Sequence, residues 1–128
     1  MSRDPKLLSP HLRELHAQFM KLCNDDNDPS TAVITVCTYR SNKDQQAAFD
    51  AGASNARPGQ SKHNALDKNG NPASKAFDIG VIRFGKYISN GKDPAYLRAG
   101  QIGESLGLKW AGRWTGKIRE TCHYEIGE

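Results

Sequence analysis

Residues 76–83 read Ala-Phe-Asp-Ile-Gly-Val-Ile-Arg (AFDIGVIR), a short apolar run broken by one carboxylate. Its length and its β-branched residues predict a strand. Asp78 in the middle of such a run needs a partner, because burying an unpaired charge is costly. That partner is an Arg, a Lys or a metal ion.

The neighbouring segments alternate in type. Upstream, Ala32–Thr38 (AVITVCT) is a second apolar strand. Before it, Ser9-Pro10 predicts a helix start with Ser9 as N-cap, and Leu12, Leu15, Phe19 and Leu22 fall on one helical face. A polar break, NDDNDP at 24–29, separates the two. Ser41 opens a second helix, with Asp44 in capping-box position and Gly52 near its end. Residues 55–75 are loop-rich, and DKNGNP at 67–72 predicts an exposed turn. Downstream, 85–92 predicts a hairpin or turn. Asp93-Pro94 starts a third helix with Leu97, Ile102 and Leu106 on its buried side and Gly107 at its end. His123–Ile126 is the last strand. This order predicts a small α+β domain with an antiparallel sheet flanked by about three helices.

The chain has 128 residues, the size of one domain. Its net charge of +4 favours polyanionic partners, yet Lys and Arg are scattered, with no run of five, which argues against a nucleic-acid stripe. Three cysteines without paired spacing fit reduced thiols and synthesis in the cytosol. The first residues carry charges throughout, which predicts neither a signal peptide nor a membrane span.

Four polar residues stand out. His63 lies in the loop PGQSKHN, Asp78 on its strand, and Glu120 and His123 in RETCHYEI. Two imidazoles and a carboxylate form an accepted catalytic zinc set with one position open, and a second carboxylate can act as base. Asp67 competes with Asp78, which the strand context favours. Cys122 neighbours His123, but in a strand it faces the other way. Arg40 follows a strand and precedes a helix, where it can hold a substrate carboxylate or an oxyanion. Ser61 can bind substrate or orient the His63 loop, and Gln45 can add an amide contact. Trp110 and Trp114 in GLKWAGRW suit either a core or an aromatic wall beside a cleft.

In order along the chain, TYRS with a following Gln, SKH…AFDIG, GLKWAGRW and ExxHYE resemble the motifs of the zinc D-Ala-D-Ala carboxypeptidase and L-alanyl-D-glutamate endopeptidase family, which includes VanY-like enzymes and phage endolysins. The resemblance spans about residues 33–126. It implies a Hedgehog/DD-peptidase-like fold over 1–128, with zinc on His63, Asp78 and His123, Glu120 as catalytic base and Arg40 assisting the substrate or transition state. Family members place the first His and the Asp closer together, as SxHxxGxAxD; here a polar, turn-rich insertion at 64–75 separates them. Such a loop is thermodynamically cheap to lengthen.

The resulting expectation is a monomeric zinc peptidase acting on bacterial peptidoglycan, of phage endolysin type, cutting the L-Ala–D-Glu bond of the stem peptide. It would be made in the host cytoplasm and reach the wall through holin-type lesions, without stable membrane insertion or nucleic-acid binding. One rival is a D-Ala-D-Ala carboxypeptidase. Another is a non-catalytic wall-binding domain with a structural zinc.

Overall fold

A computed structural model gives the fold and describes residues 2–25, 28–54, 56–116 and 119–127. Among the described residues, three α-helices, α1 (Pro10–Asn24), α2 (Asn42–Asp50) and α3 (Pro94–Ser105), accompany five strands. The strands are β1 (Thr31–Cys37), β2 (Ala76–Arg83), β3 (Lys86–Ile88), β4 (Lys109–Trp110) and β5 (His123–Glu125). They form one antiparallel sheet in the order β1-β2-β5-β4, with β3 also paired to β2. The small α+β domain is the one the alternating pattern predicts.

Helix starts follow local chemistry. Pro10 and Pro94 occupy first-turn positions where no N–H is needed. Asp93 accepts from the Ala95 N–H, and Ser41 accepts from the Asp44 N–H. Gly107, at φ 88°, adopts the left-handed conformation just beyond α3. Asp26 and Asn27 of the polar break lie outside the described residues.

β2 explains the architecture. Side chains alternate across a strand, so Phe77, Ile79 and Val81 are fully buried on one face. There they join Leu12 and Phe19 of α1, Tyr96 and Ala99 of α3, Trp110, and Tyr124 of β5. Asp78 projects from the opposite face. In β5 the same alternation buries Tyr124 and leaves His123 and Glu125 on the face of Asp78. The carboxylate therefore does not interrupt the core; it belongs to the other side of the strand.

Two helix faces differ from expectation. On α1 the buried residues are Leu12, His16, Phe19 and Cys23, while Leu22 is exposed. His16 fills its place by hydrogen bonding to Thr35 Oγ1 at 2.7 Å and meeting Phe77 edge-on. On α3 Leu97 is exposed, and the buried face is Tyr96, Ala99, Gly100 and Gly103; Ile102 and Leu106 are half-buried against the core. Small residues are needed there because two rings press on the helix. A Cβ on Gly100 would lie 2.2 Å from the Trp110 indole, and one on Gly103 would lie 2.7 Å from the Tyr124 ring.

Helix propensity alone favours Gly100→Ala by up to about 1 kcal/mol. Overlap with a buried indole opposes it and is the larger effect. Gly100→Ala should therefore lower stability by about 1–3 kcal/mol in urea unfolding; an unchanged or raised midpoint would contradict the packing described.

Candidate metal centre

The register brings the site together. In β2, Asp78 has Cys37 of β1 as cross-strand partner on one side and His123 of β5 on the other. His63 arrives from a 3-10 turn, Lys62–Asn64, whose cap Ser61 accepts from the His63 N–H. The Asn64 side chain completes that cap and also donates to the Arg40 carbonyl. The turn is thereby fixed to the end of β1.

Both imidazoles face one carboxylate oxygen. His123 Nδ1 lies 2.8 Å, and His63 Nε2 3.3 Å, from Asp78 Oδ1. The far nitrogen of each ring is committed elsewhere. His63 Nδ1 donates to the Thr38 carbonyl at 2.8 Å, and His123 Nε2 donates to Glu125 Oε1 at 2.9 Å. The near nitrogens therefore carry lone pairs toward an anion unless a cation intervenes, either a proton on each ring or a metal ion.

Two tighter groups share Asp78: Cys37–His63–Asp78 and Asp78–Glu120–Cys122, each with donor atoms within 4.8 Å of one another. Either set has the chemistry to hold a metal ion. The Cys37 sulfur lies 3.7 Å from Nδ1 of His63, the nitrogen already bonded to Thr38. His63 thus has Nε2 to offer, and Nε2 faces Asp78. Cys122 does not face away, as strand alternation implied. It lies in the turn before β5, and its sulfur belongs to the Asp78–Glu120 group.

The electrostatics follow. For His63, burial opposes the charged ring, but hydrogen bonds to Asp78 and Cys37 and the Asp78 charge outweigh it and raise the pKa to about 10. His123 is likewise raised to about 9 by Asp78 and Glu125 against its burial. Asp78 is held well below the usual carboxylate range, since the two imidazoles outweigh its burial. Glu120, exposed to solvent at the cleft, moves up through partial desolvation there and the nearby Asp78 charge.

A cleft of about 360 Å³ opens over this cluster, lined by Arg40, Ser61, His63, Asp78, Trp114, Glu120, His123 and Glu125 among others. Arg40 Nη2 stands 3.9 Å from Asp78 Oδ2. The Trp114 ring is 5.7 Å from that of His123. Trp110 is instead 7% exposed, clamped between Gly100 and Gly112, with its indole N–H bonded to the Thr121 carbonyl; it is core rather than cleft wall. Gln45 is fully buried, so it does not reach a substrate. Its carbonyl accepts from Arg40 Nη1 at 3.0 Å, and its amide donates to Ser54 Oγ and the Ala56 carbonyl. Asp67 is exposed and accepts from the Asn69 and Asn71 N–H groups of its own loop. That loop closes at its base, where Ala73 N–H donates to the Ala65 carbonyl and Lys75 N–H to the Lys62 carbonyl.

The fold has a solved counterpart. A crystal structure of the Serratia marcescens L-Ala D-Glu endopeptidase ChiX matches with a TM-score of 0.68, covering 95% of this chain and 82% of that one. The chain shares the fold of a peptidase. At 16% identity the likeness is one of fold. No family model and no curated protein matches the sequence. Among the described residues, no helix is long and apolar enough to cross a membrane.

Glu125 and the Thr38 carbonyl were not singled out from the sequence. The signal for Glu125 is its i+2 spacing from His123 on a strand, which puts both on one face.

Two outcomes are expected. Raised histidine pKa values contribute stability that is fully present below the unfolded value near 6.5 and is lost as pH rises through about 9–10. In chelator, the melting temperature should fall between pH 6.5 and 10; a flat profile would contradict the paired imidazoliums. Replacing residues 67–71 by a two-residue turn should change stability by no more than about 1 kcal/mol. A larger loss in denaturant unfolding would mean that the insertion holds the site together.

Proposed function

We propose that the chain is a zinc-dependent hydrolase of bacterial peptidoglycan that cuts the L-Ala–D-Glu bond of the stem peptide. One observation carries this reading. Two imidazole nitrogens converge on one Asp78 oxygen with their far nitrogens tied to acceptors. This convergence, with an acceptor behind each ring, supports the reading of a His₂–carboxylate site. The fold it shares with an L-Ala D-Glu endopeptidase supports the substrate class.

In this reading His63, Asp78 and His123 hold the zinc. When bound, the ion would supply Lewis-acid chemistry toward a carbonyl and a water. Glu120 lies at the cleft beside Asp78 and accepts the proton of the attacking water. Its raised pKa suits a base that later returns the proton to the leaving amine. Arg40, steadied by Gln45, balances the charge that develops on the scissile carbonyl or holds a neighbouring carboxylate of the substrate. Trp114 supplies an apolar wall, and Ser61 holds the His63 turn.

The endolysin setting belongs to the same proposal: a monomer made in the host cytoplasm and released to the wall through holin-type lesions. The basic surface favours the anionic wall.

Digestion of purified peptidoglycan followed by end-group mass spectrometry tests the bond. New N-terminal D-Glu is expected, abolished by chelator and restored by zinc. Free D-Ala instead would make the enzyme a carboxypeptidase, and wall binding without cleavage would make it a binding domain. Glu120→Gln should lower turnover by about 10²–10⁴ while zinc stays bound. Undiminished cleavage by that variant would remove Glu120 from the role of base.

A further inference from the structure

The two proposed histidine ligands come from separate segments, the Lys62–Asn64 turn and β5. A second polar layer joins them. Glu125 Oε1 accepts from His123 Nε2 at 2.9 Å, and Glu125 Oε2 accepts from Lys62 Nζ at 3.1 Å. Lys62 immediately precedes His63, and its ammonium also reaches the Ile126 carbonyl at the end of β5. The cross-strand partner of Glu125 is Ala76, whose side chain ends at Cβ. The Glu125 side chain is 12% exposed and that of Lys62 32%, so the carboxylate end of the pair is the better shielded from screening.

We propose that Glu125, anchored by Lys62, is a positioning residue for the metal centre: it fixes His123 with Nδ1 toward Asp78 and straps the two histidine-bearing segments together. This rests on the zinc reading above. Two functions are separable. The acceptor on His123 sets the tautomer and aim of the ring, which any neutral oxygen can do. The charge on Glu125 strengthens its hold on Lys62 and with it on the His63 turn, which a neutral acceptor does more weakly. Removing an orienting partner of a metal-bound histidine typically weakens metal affinity by about 10–100-fold.

Zinc affinity measured by competition with a chromophoric chelator tests this without reference to catalysis. Glu125→Ala should bind zinc about 10–100-fold more weakly than the parent chain. Glu125→Gln keeps an acceptor for the His123 N–H and should recover most of that loss. Lys62→Met should weaken binding in the same direction as Glu125→Ala but less. The visible spectrum of the cobalt-substituted protein should change in Glu125→Ala and stay parental in Glu125→Gln. Circular dichroism of the metal-free variants checks folding; if Glu125→Ala does not fold, the Gln and Met variants carry the test. Parental affinity in Glu125→Ala, or equal weakening by Ala and Gln, would overturn the proposal. Absence of zinc binding by the parent would instead sink the metal reading on which it rests.

Discussion

Asp78 stands between Phe77 and Ile79, both fully buried, on a strand with a neighbour on each side. Its carboxylate has little access to water, so its charge must be balanced where it stands. Around it are His63 and His123 at hydrogen-bond distance and Arg40 slightly farther off. Much of the cleft's organisation follows from this requirement. The His63 turn is capped, tied to the Arg40 carbonyl and backed by Thr38, while β5 presents His123 in register with Asp78.

The sheet makes such concentration of charge compatible with a small core. A period of two separates the faces of β2 and β5, so Phe77, Ile79, Val81 and Tyr124 meet the helices, and Asp78, His123 and Glu125 meet the cleft. Small residues on α3 let Trp110 and Tyr124 approach and fill that core. Three rings, Phe19, Phe77 and Tyr124, pack within 4.8–5.4 Å directly behind the polar face. The site thus sits on a rigid aromatic floor, which limits how far its donors can drift.

Strands and helix starts were legible in the sequence because each has a local cause. AFDIGVIR is a strand by composition, and Ser41, Ser9-Pro10 and Asp93-Pro94 mark helix starts by chemistry that acts within four residues. Helix faces were less legible. Leu22 and Leu97 carry more hydropathy than His16 or Gly100, yet the tertiary partners of α1 and α3 select the latter. The two-residue strand β4 was missed because Lys109–Trp110 is too short to show a period. At the site, His63, Asp78, Glu120 and His123 could be picked out by residue type and motif, and they do meet. Gln45 and Trp110 were drawn toward the substrate because an amide and an indole suit both roles; only burial separates them. Glu125 stayed hidden because an acidic residue two after a histidine is unremarkable until its contacts with His123 Nε2 and Lys62 Nζ are known.

The insertion between His63 and Asp78 closes on itself at Ala65 and Ala73, which sets its tip apart from the His63 turn. What everything else depends on is whether one cation joins His63, Asp78 and His123. Anomalous diffraction at the zinc edge from crystals grown with zinc answers this most directly. A single peak bounded by His63 Nε2, an Asp78 oxygen and His123 Nδ1 is the predicted result. A peak held by Cys37 or Cys122 in place of His123, or no peak at Asp78, would contradict it.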